Sequence, residues 1–68
     1  MQKWEYLIVE VRLGSDNTLH PWIVDGQMLP DLEHSPVIYE YVHQLGDKGW
    51  ELAGTLTPVQ LMFKRPKQ

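Results

Sequence analysis

His20, His34 and His43 are the side chains of this chain best suited to chemistry, and Asp16, Asp25, Asp31, Glu33, Glu40 and Asp47 crowd around them in sequence. Imidazole and carboxylate together can hold a divalent metal or relay a proton. The spacing argues against both uses. Metal sites draw on close ligand pairs, such as i and i+4 on one helix, whereas His34 and His43 stand nine residues apart. Glu40 and His43 are one helical step apart and could share a proton, but such pairs are common on solvated helix faces. There is no Ser-His arrangement, cysteine is absent, and Gly46-Asp47-Lys48-Gly49 lacks the pattern of a phosphate-cradling loop. The expectation is a protein without cofactor or metal. The alternative is a metal-dependent or acid/base enzyme using the His and Asp/Glu groups of residues 20 to 43.

Trp22 stands apart from these groups. It lies beside Pro21 in an acidic, loop-rich segment, where it could anchor an interface, stack on a planar ligand, or plug the end of a small core. With Tyr39 and His43 it makes the candidate ligand-binding set. Lys64, Arg65 and Lys67 gather near the C-terminus, while no Lys or Arg occurs between Leu13 and Asp47. The net charge of -3 argues against a duplex-binding module, and a short basic tail reads more readily as a solubilising end.

The elements that must position these residues begin with Trp4 to Leu13, a strand by composition. Its even positions carry Trp4, Tyr6 and Ile8 before turning polar at Glu10 and Arg12; its odd positions carry Leu7, Val9, Val11 and Leu13. Both faces are thus substantially apolar. Gly14 to Asn17 reverses the chain, Thr18 to Val24 forms a second strand confined to an edge or a bulge by Pro21, and Asp25-Gly26 makes a tight turn. Pro30 to Glu33 is a loop. Ser35 as N-cap and Pro36 at the first helical position then open a helix whose stripe is Val37 or Ile38, then Tyr41, Val42 and Leu45, closed by Gly46 as a left-handed cap. Trp50 to Leu56 and Val59 to Lys64 are the third and fourth strands, joined by a turn at Thr57-Pro58.

The order β-β-α-β-β predicts an α+β fold, residues 1–68 as one domain, with one helix packed on an antiparallel four-stranded sheet of order 2-1-3-4. Trp4, Tyr6 and Ile8 are placed under the helix with Leu52, Leu61 and Phe63. The other sheet face, with Leu7, Val9, Val11, Ala53 and Met62, is then left bare. Cores of fewer than about 70–80 residues seldom suffice without a disulfide, a metal or another subunit. With 0 cysteines the disulfide is excluded, so the bare face is expected to be a homodimer or higher symmetric oligomer interface. Glu51 falls on that face and would be answered by Arg12 or Lys64. No apolar run approaches the roughly 18 residues of a membrane span, and a cysteine-free chain without a signal pattern fits the cytoplasm.

Three pieces, Trp4-Glu5-Tyr6, Leu45-Gly-Asp-Lys-Gly-Trp-Glu-Leu52 and Phe63-Lys-Arg-Pro66, resemble a family of short bacterial domains of unknown function. Its members read W-E-Y, then L-N-x-L-G-x-x-G-W-E-L, then F-K-R. His43-Gln44 departs from the Asn-containing pair usual there. The resemblance leaves out about Arg12 to Pro36, implies a small α+β fold and implies no activity.

Overall fold

The odd side of the first strand is apolar without a break from Leu7 to Leu13, and that continuity decides the fold. The computed structural model describes residues 2–29 and 35–67. In it β1 (Trp4–Leu13) is the middle strand of an antiparallel sheet. The others are β2 (Leu19–Val24), β3 (Gln27–Met28), β4 (Glu51–Thr57) and β5 (Gln60–Pro66), and one helix, α1 (Ile38–Asp47), precedes β4. The strand order is β3-β2-β1-β5-β4. The α+β class is as expected; the four-stranded sheet of order 2-1-3-4 is not. Gln27–Met28 adds a fifth strand, and the last two strands exchange places.

The exchange has a physical cause. β5 pairs with β1 continuously from Trp4 opposite Pro66 to Glu10 opposite Gln60, setting Arg65 against Glu5. β4 is a poorer partner for the central strand, because its ladder to β5 is interrupted between Leu52 and Gly54 and again between Thr55 and Thr57. Bulged strands belong at sheet edges.

The two faces are also exchanged relative to expectation. Val9, Val11, Leu45 and Phe63 form the buried core, with Leu7, Ile38, Tyr41, Val42, Trp50 and Leu61 packed against it. Leu7, Val9 and Val11 therefore lie beneath the helix and are not an outward interface. Ala53 sits in a β4 bulge, exposed, and Met62 is opposite Ile8 on the face without the helix. Trp4, Tyr6 and Leu52, expected in the core, are exposed. Charge outweighs bulk here. Glu10 and Arg12 interrupt the even side of β1, and burying either beneath a helix would strand a charge in an apolar layer.

The helix ends one turn later than Gly46 suggests. Lys48 is the C-cap, and Gly49 takes the left-handed conformation at φ +90°. The Gly49 N–H donates to the Gly46 carbonyl and the Trp50 N–H to the Leu45 carbonyl, the paired bonds of a Schellman motif. That motif brings Trp50 back to the core beside Leu45, so the Gly-x-x-Gly-Trp run is a device for seating one indole. At the other end Val37, not Ser35, is the N-cap, and no side chain caps it. The expected loop at Pro30 to Glu33, and His34, lie outside the described residues. Asp25-Gly26 is the tight turn expected: both residues have positive φ, at 50° and 82°. The Asp25 carboxylate accepts from the Ile8 N–H, tying the turn to β1.

Two glycine substitutions should move stability in opposite directions. Gly49→Ala forces a side chain into the left-handed region and should cost about 1–2 kcal/mol. Gly46→Ala lies within the helix with open space around it, and should add about 0.4–1 kcal/mol. Urea denaturation of the two variants checks both signs.

Candidate functional site

Alternation along β1 sends Trp4, Tyr6, Ile8, Glu10 and Arg12 to the side of the sheet away from the helix. Cross-strand pairing adds Lys64 opposite Tyr6, Met62 opposite Ile8 and Gln60 opposite Glu10. The centre of this face is apolar, made by Ile8 and Met62, with Ile23 and Met28 beyond Glu10 on β2 and β3. Its polar groups are tied across the strands. Gln60 donates to Glu10 at 3.0 Å, and the Lys64 ammonium lies 3.7 Å from Glu51 and 4.5 Å from the centre of the Trp4 ring. At the opposite end the Arg12 guanidinium stands 5.0 Å from the Trp22 ring, which occupies the extra residue of a bulge between Ile23 and Pro21. The face is thus an apolar centre between two tryptophan–cation pairs. Tyr6 remains 54% exposed in the midst of it.

Within one chain Trp22 does not lie beside Tyr39 and His43. Tyr39 and His43 are one turn apart on the exposed side of α1, whereas Trp22 stands on β2 beneath Arg12. A groove among the described residues is lined by Glu5, Lys48, Gly49, Arg65, Pro66 and Lys67. Glu51 is answered by Lys64, one of its two expected partners.

The sequence reading passed over a second polar cluster. His20 is 3% exposed. Its Nε2 lies 3.0 Å from an Asp16 carboxylate oxygen and 2.9 Å from the Thr18 hydroxyl, and its Nδ1 lies 3.0 Å from the Ser35 carbonyl and 3.2 Å from that of Pro36. Both ring nitrogens face acceptors, an arrangement that suits the doubly protonated imidazolium. The Asp16 bond, with help from the two carbonyls, outweighs burial and raises the His20 pKa. The Asp16 carboxyl is held down at about 2, first by the Thr18 hydroxyl and N–H and then by His20. Gly14 belongs to the same cluster, since a Cβ there would come within 2.8 Å of the His20 ring. The cluster joins the β1–β2 turn to the chain leading into α1, and both imidazole nitrogens are spent on that task. A legible signal was the Gly14-x-Asp16-x-Thr18-x-His20 run, which puts acid, hydroxyl and imidazole on one side of a tight turn.

Among the described residues no three His, Cys, Asp or Glu side chains are grouped so that they could hold a metal ion. No described helix is long and apolar enough to cross a membrane. Compared with known protein families, with curated proteins and with solved structures, the chain has no match in any of the three.

The His20–Asp16 pair makes stability depend on pH with a definite sign. The raised histidine pKa contributes stability fully present below its ordinary 6.5 and lost as pH climbs through the raised value. The lowered carboxyl contributes above its ordinary 3.8 and loses that contribution as pH falls toward about 2. The pair therefore stabilises most between those ordinary values. Urea midpoints at pH 5 and pH 9 should show the wild type losing stability in alkali relative to His20→Gln. Parallel midpoints for the two proteins would mean that His20 titrates alike folded and unfolded.

Proposed function

We propose that this chain is a non-enzymatic oligomeric binding or assembly module that closes on a second copy of itself through the sheet face left open by α1. The supporting observation is the apolar centre of that face, Ile8 and Met62 with exposed Tyr6 and Trp4, on a chain too small to spare it. The accessible surface is 4979 Å², against about 4,450 Å² for a typical folded monomer of this mass. From strand rise and spacing, the face spans roughly 31 by 19 Å. That rectangle is about 590 Å² in projection, an upper bound because the other four strands are shorter than β1, against the roughly 800 Å² of accessible surface each partner contributes to a stable complex.

The charge pattern favours a copy of the same chain as occupant. A twofold axis lying between the sheets and across the strands sets the Ile8–Met62 centre on its equivalent. It lays Tyr6 and Lys64 of one copy over Glu10 and Gln60 of the other, because these pairs stand at equal distances on either side of that centre. Tyr6 then meets the Glu10 carboxylate, Lys64 the side-chain amide of Gln60, and Trp4 the guanidinium of Arg12. Any twofold contact must bring a surface against itself, so a face whose two ends carry opposite partners has the required complementarity.

Sedimentation at micromolar concentration should give about twice the 8.0 kDa chain mass. Ile8→Lys should give a folded monomer, because a lysine at the centre of the face strands a charge only in the dimer. Val9→Lys is the contrast: Val9 is fully enclosed beneath the helix, so this variant should unfold rather than merely dissociate. A wild-type monomer at these concentrations, or an Ile8→Lys dimer, overturns the proposal.

A further inference from the structure

The helix side of the sheet ends in a groove of about 490 Å³ that the proposed self-association does not use. Its floor is Arg65, whose guanidinium lies 4.2 Å from the centre of the Trp50 ring. The Arg65 Nε donates to Glu5, and Nη1 donates to the Lys48 carbonyl at 3.0 Å. A guanidinium has five N–H donors in a fixed plane, so three remain after these two bonds among the described residues. Stacking and two hydrogen bonds hold that plane still, which is the preparation a fork needs before it can grip an oxyanion.

The surroundings carry the same sign. Lys48 and Lys67 stand on the rim, and against these three cations the lining has one carboxylate, Glu5. Two positive charges are unbalanced there, in a chain whose net charge is -3. A helix C-terminus alone would repel an anion. Here its end is answered: the N–H groups of Lys48 and Trp50 bind the Leu45 carbonyl, that of Gly49 binds the Gly46 carbonyl, and Arg65 takes the carbonyl of Lys48. Gly49 forms part of the wall, and a Cβ there would meet nothing within 4 Å, so the backbone is open to an approaching ligand.

We infer that this groove is a binding site for a small dianion, a phosphate group or a dicarboxylate, held in the Arg65 fork between the Lys48 and Lys67 ammonium groups. The excess of two charges sets the valence, and the groove volume falls within the roughly 300–1,000 Å³ usual for small-molecule sites.

The test uses the whole chain, labelled with ¹⁵N and titrated at constant ionic strength with inorganic phosphate, with succinate, and with chloride as control. Saturable shifts centred on the Gly49 amide and the Arg65 Nε–H are expected with phosphate or succinate and not with chloride. The stronger of the two identifies phosphate or dicarboxylate as the chemistry recognised. Lys48→Ala combined with Lys67→Ala removes two exposed side chains that make no core contact, and should weaken binding about tenfold or more with an unchanged circular dichroism spectrum. Ile8→Lys, on the other face, should bind as the wild type does, so failure of self-association leaves this site standing. Absence of saturation, shifts centred on Arg12 or Lys64, or undiminished binding by the double variant overturns the inference.

Discussion

The contact of Val9 with Phe63 and Leu45 is the constraint from which the rest of this molecule follows. It fixes which side of β1 is inward and sets β5 against β1, and the helix must then lie across both. A helix of ten residues is about 15 Å long and covers a strip about 10 Å wide. Five strands spaced at about 4.8 Å, the longest of ten residues, present a much larger area on each side. One helix cannot cover one face completely, and it contributes nothing to the other. Leu52, on β4 opposite Phe63, is on the helix side and is still 55% exposed for this reason. The surplus of apolar surface is a matter of dimensions and not of any single residue.

Much of this was legible before the coordinates. Strand and helix positions, the Asp25-Gly26 turn and the α+β class follow from local signals, because each depends on residues close in sequence. The surplus of greasy strand surface was legible too. For the choice of face, the uninterrupted odd stripe and the charges at Glu10 and Arg12 are the informative signals, and they point to the side opposite Trp4 and Tyr6. The order of the last two strands could not be read from crossover rules. It depends on how well each strand can pair along its whole length; Gly54 marks the bulge at Ala53, whereas the one at Leu56 has no mark in the sequence. The burial of His20 rests half on local partners, Asp16 and Thr18, and half on two backbone carbonyls fifteen and sixteen residues away, contacts that no periodicity predicts.

Each of the three tryptophans has a cation over its ring: Lys64 on Trp4, Arg12 on Trp22 and Arg65 on Trp50. Indoles at the margin of a thin core are only partly covered, and a long basic side chain shields the remaining face with its methylenes while its charge stays wet. The same placement has different consequences on the two sides of the sheet. On the open face Lys64 and Arg12 bracket an apolar centre, so their charges give direction to whatever packs there. On the helix side Arg65 is pinned by Glu5 and the Lys48 carbonyl, so its remaining donors point to a fixed place.

β4 offers a competing way to cover apolar surface, since it is an edge strand with Leu52 and Leu56 exposed. A second β4 could in principle pair with it and extend the sheet. Pairing of that kind needs a regular row of N–H and C=O groups at the repeat of the ladder. The extra residues at Ala53 and Leu56 break that repeat twice within Glu51–Thr57, so two such edges cannot stay in register for more than a few residues. β3, at the other edge, is two residues long and gives no better template. Both edges are thus poor at recruiting strands, while the face between them carries its hydrophobic residues in an unbroken β1–β5 ladder. Face-to-face packing needs no shared hydrogen-bond register, and it is the mode of association this sheet leaves available.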